Sequence, residues 1–336
     1  MTDILYLCKR MKVHFSIIVP VYNRPQEMDE LLMSLAQQTD RDFEVIVMEG
    51  KCEQSCKEIV EQYEDRLRIE YHEEDSGRSV RRNHGIEAAA GNYFLFFDSD
   101  CILPRTYIAT LRRLLRDDYV DCFGGPDAAD ADFSVLQRAV NYAMTSFLTT
   151  GGIRGGMKDT SKFLPRGFNM GFSLKVYEQV GGFRDMIGED VDLSMRIREA
   201  GFDIRLFKET FVYHKRRVTL SSFYRQVNTF GKARILLSTL HKGSLKLTHL
   251  FPSCFVVGHI MLLLLAVLHS PWWLVPIGVY MLALFCESLY RNRDIRIAAL
   301  SVLTSYIQLT GYGMGFMEEL ITRKASRQAA EQLYRQ

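Results

Sequence analysis

From Phe15 to Pro104, short apolar runs alternate with amphipathic stretches. Phe15 to Val21 (FSIIVPV) reads as a buried strand, and Asn23 followed by Pro25 signals a helix start, because proline is tolerated in the first turn. Met28, Leu31, Leu32 and Leu35 then recur at helical spacing. Phe43 to Met48 is a second strand ending at Glu49-Gly50. A polar helix through Ile59 and Tyr63, a short strand from Leu67 to Tyr71 and a loop from Glu73 to Arg78 follow. The next helix runs from about Ser79 to Ala90, closed by Gly91 where a left-handed cap is wanted. Then comes YFLFFDSDCILP, Tyr93 to Pro104, an aromatic-rich strand that ends in Asp98 and Asp100.

Strands alternating with helices imply βαβ crossovers and a mostly parallel sheet covered on both faces, an α/β fold. Ligands bind such sheets beyond the carboxyl ends of the strands. Asn23, Glu49, Asp75 and the Asp98/Asp100 pair follow four successive strands and are expected to share one rim. The first strand-to-helix turn, Val21 to Pro25, contains no glycine, and no P-loop occurs, so a nucleotide's phosphates need another holder. Residues two apart on a strand point the same way. Carboxylates at 98 and 100 repel unless a cation lies between them, and a divalent ion held by hard oxygens would serve. The alternative is a solvated turn in which Asp98 or Asp100 caps a helix before Leu103.

Further on, Tyr107 to Leu115 is amphipathic, Val120 to Gly125 is a short strand with a glycine turn, and Phe133 to Leu148 is a longer helix. The glycine-rich cationic stretch TTGGIRGGMKDTSKF offers Arg154, Lys158 and Lys162 either to a diphosphate or simply to solvent. Arg166 to Gly171 bends tightly before a strand from Phe172 to Leu174. Gly188-Glu189-Asp190 opens a helix with Leu193, Ile197 and Ala200 inside and Gly201 as its cap. Acids in a first turn serve the helix dipole as readily as they serve catalysis. A strand from Ile204 to Phe207 precedes Phe211 to Arg217 (FVYHKRR), where a lone histidine, His214, is ordinarily structural.

Past Lys246 the hydropathy changes. Residues 221–246 form a basic amphipathic stretch suited to anionic lipid. Leu250 to Leu268 and Trp272 to Leu289 are each apolar and near the minimum needed to cross a bilayer. Their uncharged Ser270 to Trp273 turn suits the outer side, and Arg291, Arg293 and Arg296 suit the cytosolic side. Ile297 to Met317 is expected to be a third span, with a re-entrant helix as the alternative. It carries Gln308 and three glycines, and a full crossing puts Arg323, Lys324, Arg327 and Arg335 outside.

In 336 residues, 42 basic against 40 acidic side chains leave +2, which offers no positive field for nucleic acid. Seven scattered cysteines, with Cys52 and Cys56 lacking a second pair, fit a reducing cytoplasm. The first fourteen residues lack the apolar core of a signal peptide, so the N-terminal part is expected to stay in the cytosol.

SIIVPVYNR, GRSVRRNHGIEAAAGNYFLFFDSD, the GGF turn at Gly181 to Phe183 and GED at 188–190 together resemble family 2 glycosyltransferases over residues 13–220. The resemblance implies a GT-A nucleotide-sugar-binding fold, Rossmann-like with a mixed, mostly parallel sheet, here followed by transmembrane helices. It divides the chain into a catalytic domain (13–220), an interfacial segment (221–249), a membrane region of two to three helices (250–317) and a polar tail (318–336). By resemblance, Pro20, Tyr22, Asn23, Glu49, Arg82, Asp98 and Asn169 would serve the donor. Glu49 would meet the base, Arg82 the base or phosphate unless it lies on a solvated helix face, Asp98 the ribose and Asn169 the sugar hydroxyls. Gly50 and Lys51 replace the family's usual acid and glycine. Asp100 with His214, and Asp98 beside them, would bind Mg²⁺ or Mn²⁺. Asp190 would be the catalytic base of an inverting enzyme, with Glu189 orienting it or touching the acceptor. Lys215, Arg216 and Arg217 would meet the leaving diphosphate or lipid headgroups.

The expected partners are a nucleotide-sugar, a lipid-linked or growing-glycan acceptor in cell-surface polysaccharide synthesis, and membrane lipids. The expected place is the inner (plasma) membrane, multi-pass, with the catalytic domain cytoplasmic. A polyprenyl-phosphate glycosyltransferase and a catalytically silent membrane scaffold are the alternatives.

Overall fold

The structure, a computed structural model, describes residues 13–128, 134–150, 163–214, 219–324 and 326–327. Arg154, Lys158, Lys162, Lys215, Arg216, Arg217 and Arg335, singled out above, lie outside the described residues. The chain divides into two compact units. Residues 134–150, within the catalytic domain expected above and covering most of its Phe133 to Leu148 helix, group with the C-terminal helices.

The first unit is a seven-stranded sheet in the order β3-β2-β1-β4-β8-β6-β9. Its strands are β1 (Phe15–Val21), β2 (Phe43–Glu49), β3 (Ile69–Glu73), β4 (Tyr93–Phe97), β6 (Cys122–Gly124), β8 (Asn169–Ser173) and β9 (Ile204–Leu206). The first four run parallel, with Phe15 opposite Phe43 and Val21 opposite Glu49, so their carboxyl ends form one rim. β8 is antiparallel to both β4 and β6, so the sheet is mixed. A second, three-stranded sheet joins β5 (Cys101–Ile102), β10 (Val212–His214) and β7 (Asp127–Ala128).

The helices of this unit are α1 (Pro25–Ala36), α2 (Lys57–Glu61), α3 (Arg78–Ala88), α4 (Tyr107–Asp117), α7 (Leu174–Val180) and α8 (Glu189–Glu199). Strand alternation divides the core between the two faces of the large sheet. Ile17, Val19, Val45, Val47 and Leu95 face one layer, with Met28, Leu31, Leu35 and Leu111. Ile18, Ile46, Met48, Phe94 and Phe96 face the other, where Phe96 stacks on Phe172 at 5.1 Å.

Two local expectations change. The aspartate turn does not cap a helix, because Cys101–Ile102 is a strand whose partner places His214 opposite Cys101. Gly91 is not a left-handed cap, since α3 ends at Ala88, the following Ala89 is already extended, and Gly91 has no positive φ. Its constraint is space: a Cβ there would lie 2.3 Å from Ser16 Oγ and 2.6 Å from the His14 carbonyl. Gly201 does take the expected left-handed form, at φ 86°.

The second unit contains α5 (Val135–Thr145), α6 (Phe147–Thr150), α9 (Leu220–Leu240), α10 (Phe251–Leu268), α11 (Val275–Asn292) and α12 (Ile295–Thr322). Ser134 and Gln137 close a capping box at the start of α5. Among the described residues two helices, Phe251–Leu268 and Pro271–Asn292, are long and apolar enough to cross a membrane. Their outward side chains, including Ile260, Leu264, Val267, Val279 and Leu282, are exposed.

The third expected span behaves differently. α12 touches α5, α9, α10 and α11. It buries Ser301, Thr304, Ser305 and Gln308 against them, and Ser301 bonds the Ser288 hydroxyl at 2.7 Å. Its glycines sit where backbones cross closely. A Cβ on Gly313 would lie 2.5 Å from the Pro252 carbonyl, and one on Gly315 would lie 2.1 Å from that of Asn228.

Because the His14 carbonyl cannot move aside as a side-chain tip can, Gly91→Ala is expected to destabilise the protein by about 2 kcal/mol, read as a lowered unfolding midpoint.

Candidate active site

The rim is built from backbone geometry first. β1 runs through buried Pro20 into an exposed Tyr22, then Asn23 turns the chain at φ 55° so that α1 can start with Pro25 at its first position. Asn23 accepts a hydrogen bond from the Gln54 amide at 3.0 Å, which ties this turn to the loop after β2. Arg24, the last residue before α1, extends its guanidinium to Asp100, with Nη1 2.6 Å from Oδ2.

A second arginine dominates the centre. Arg82 on α3 is 1 % exposed. It donates to Asp98 Oδ1 at 2.8 Å, to Glu189 Oε1 at 3.0 Å and to the Gly167 carbonyl at 3.2 Å, and it lies over the Phe183 ring. Arg78, one turn earlier, donates to the same Glu189 oxygen at 2.6 Å. The Gly167 amide in turn donates to Asp190 Oδ2 at 3.1 Å. Burial pushes the Asp190 carboxyl up, but Arg166, the Gly167 N–H, Arg82 and Arg78 outweigh it and hold the group below the usual range. Asp190 is therefore kept ionised at the first turn of α8, beside a chain of charges that begins at Asp98.

Several expectations need correcting. Arg82 does not lie on a solvated face; it is the buried centre of the network. Glu49 is buried and its carboxylate is engaged by the chain's own donors rather than presented to a base on the rim. Ser55 Oγ and Tyr71 Oη donate to Oε2 at 2.5 and 2.6 Å, and the Cys56 amide donates to Oε1 at 2.9 Å. Burial raises its pKa, and these donors together bring it below the usual value. Asn169 offers no amide to a sugar. It is fully buried, accepting from Tyr107 Oη at 2.5 Å and donating to the carbonyls of Thr210 and Pro126. Glu189 is engaged by two arginines. His214 lies on β10 opposite Cys101, one residue from Asp100 in the chain register.

Arg24 and Arg78 are the site residues that sequence reasoning missed. A signal for Arg78 exists, since residues 78 and 82 are four apart and share one helix face. Arg24 carries no such signal, because its partner lies 76 positions away.

Among the described residues no three His, Cys, Asp or Glu side chains form a metal cluster. Asp98 and Asp100 nevertheless supply the hard oxygens that Mg²⁺ or Mn²⁺ prefers, and the Arg24 guanidinium already places positive charge on Asp100. The chemistry of these two carboxylates suits such an ion, and in this structure each of them is paired with an arginine.

The sequence profile of glycosyl transferase family 2 matches residues 16–181, a segment that includes Asp98, Asp100 and Arg82. Residues 16–181 belong to glycosyl transferase family 2. Glycosyltransferase AglE of Haloferax volcanii is 24% identical over 250 residues, covering 72% of this chain and 80% of AglE. Validoxylamine A glucosyltransferase of Streptomyces hygroscopicus subsp. jinggangensis is 36% identical over 101 residues, 29% of this chain and 24% of that protein. Among solved structures, mannosyltransferase PcManGT from Pyrobaculum calidifontis, in complex with GDP-Man and Mn²⁺, matches with a TM-score of 0.58 at 17% identity. It covers 94% of this chain and 89% of its own. That likeness is one of fold, the GT-A arrangement of a mixed α/β sheet. The glycosyltransferase thus carries Asp98 and Asp100 on a rim braced by arginines.

Two outcomes follow for this enzyme. Arg82→Met leaves Asp98 and Glu189 with less compensation in a buried place and is expected to cost about 3–5 kcal/mol in denaturant unfolding. The folded Glu49 carboxyl sits below its unfolded value, so its contribution is complete above that value and is lost as pH falls through the folded one. Glu49→Gln should be less stable than wild type at neutral pH, with the gap closing below about pH 4.3 in pH-resolved melting curves.

Proposed function

We propose that this family 2 enzyme is an inverting, metal-dependent glycosyltransferase. It moves a sugar from a nucleotide-sugar donor to a hydroxyl of a lipid-linked or growing glycan in cell-surface polysaccharide synthesis. The observation that carries the reading is the Arg82 bridge, which ties Asp98 on the donor rim to the start of α8, where Asp190 is held as a carboxylate.

In a single displacement the acceptor oxygen forms a bond to the anomeric carbon as the carbon–oxygen bond to the diphosphate breaks. Asp190 takes the acceptor's hydroxyl proton, and the nucleoside diphosphate departs with the bonding pair. Asp100, with Asp98 and His214 beside it, would hold the cation, whose charge offsets that of the departing diphosphate. Asp98 would also meet the ribose, and Tyr22 and Asn23 line the same rim. The GDP-Man and Mn²⁺ bound by PcManGT support a nucleotide-sugar donor and a divalent ion.

The exposed apolar faces of α10 and α11 support a place in the inner (plasma) membrane. Trp272 and Trp273 then lie on the outer side, and Arg291, Arg293 and Arg296 on the cytoplasmic side with the catalytic domain. A lipid-linked acceptor is presented at that surface.

The test is a panel of UDP- and GDP-sugars with the full chain in lipid and Mn²⁺, following nucleotide release with a membrane lipid extract as acceptor. Asp190→Asn is expected to lower kcat about a thousandfold with donor binding intact. Unchanged turnover in that variant would favour a phosphate acceptor, which needs no base. No release from any donor would sink the enzymatic reading of this chain.

A further inference from the structure

Both carboxylates of the aspartate pair carry a guanidinium, but the two arginines are held very differently. Arg82 is buried and shared among Asp98, Glu189 and the Gly167 carbonyl, so leaving Asp98 would strand three bonds at once. Arg24 has a side chain 34% exposed and reaches one acceptor, Asp100 Oδ2. It stands at the junction between the Asn23 turn and α1, with its long side chain outside any helical ladder.

We propose that Arg24 is a tethered cation that occupies the divalent-ion position on Asp100 and must swing away before a metal can bind. The inference rests on the reading of Asp100 as a metal ligand. A charge-assisted bond at 2.6 Å and a metal–oxygen bond compete for the same carboxylate oxygen, so the cost of releasing Arg24 is subtracted from the metal's affinity. With Arg24 in place the site repels a bare divalent ion; an ion arriving with a diphosphate brings anionic oxygens that give the released guanidinium a new partner. Arg24 thereby biases the site toward a metal accompanied by nucleotide over free metal. The contrast with Arg82 also separates the two aspartates, since Arg24 can leave Asp100 with the loss of one bond, whereas Arg82 cannot leave Asp98 without disturbing Glu189 and Gly167.

The experiment is direct Mn²⁺ binding to the full-length protein without nucleotide, read from the free-Mn²⁺ electron paramagnetic resonance signal. Arg24→Gln is expected to bind Mn²⁺ about tenfold more tightly than wild type, the scale of one charged hydrogen bond. Arg24→Lys, which keeps the charge but not the planar fork, should fall between them. Arg78→Gln removes a nearby charge that does not touch Asp100 and should change the affinity by less than about twofold. If Arg78→Gln tightens binding as much as Arg24→Gln, the effect is through space and the displacement idea fails. Equal affinities for wild type and Arg24→Gln would also overturn it. Asp100→Asn separates the two levels: if it leaves Mn²⁺ binding intact, the metal reading of Asp100 itself is wrong. If it abolishes binding while Arg24→Gln changes nothing, only the role of Arg24 is lost.

Discussion

A guanidinium with almost no contact with water must find its partners within the fold, and the two terminal nitrogens of Arg82 do so by drawing three separate parts of the chain together, while its buried Nε has no hydrogen-bond partner among the described residues. Asp98 comes from the end of β4, Glu189 from the first turn of α8 and the Gly167 carbonyl from the bend before β8. In a medium that screens weakly, none of these can drift without leaving a buried charge exposed to its own desolvation cost. The requirement reaches Asp190 indirectly, because the peptide whose carbonyl binds Arg82 also presents its neighbouring amide to that carboxylate. Gly167 is glycine for a related reason: a Cβ there would lie 2.7 Å from the Arg82 guanidinium.

Much of the catalytic unit was legible because its signals are local. Phe15–Val21 is a strand over the same residues that its pattern predicts, and the alternation of Ile17 and Val19 against Ile18 is the physical division of the core. The rim was legible too, since parallel strands joined by helices must bring their carboxyl ends to one side. What stayed hidden depends on partners far away in the chain. Nothing around Asn169 announces that Tyr107 and Thr210 will take up its amide, and nothing near Glu49 announces that Tyr71 will reach its carboxylate. A polar residue at a strand end looks the same in sequence whether it faces a ligand or closes a hydrogen-bond set. Gly91 shows the same limit for backbone: a helix cap and a crowded crossing call for the same residue.

The C-terminal helices divide their chemistry according to what surrounds them. α10 keeps its long aliphatic side chains outward, whereas α12 collects hydroxyls and an amide on faces covered by neighbouring helices. Thr304 donates to the Ala139 carbonyl of α5, and Glu287 of α11 accepts from Tyr142 and Ser146 of the same unit. Hydropathy alone treats the hydroxyls of α12 as a weakness in a span; inside the bundle they are the contacts that fix its neighbours.

The glycine crossings between α9 and α12 carry a mechanical consequence. Gly231 faces the Tyr312 carbonyl and Gly315 faces that of Asn228, so each helix bears a notch that receives the other's backbone. Sliding one helix along the other by a turn would bring side chains into both notches, where backbone atoms leave no space for a methyl group. The pair therefore behaves as a keyed joint. A pull on either helix along its axis is passed to the other rather than dissipated as slip, and any movement of one carries its partner with it.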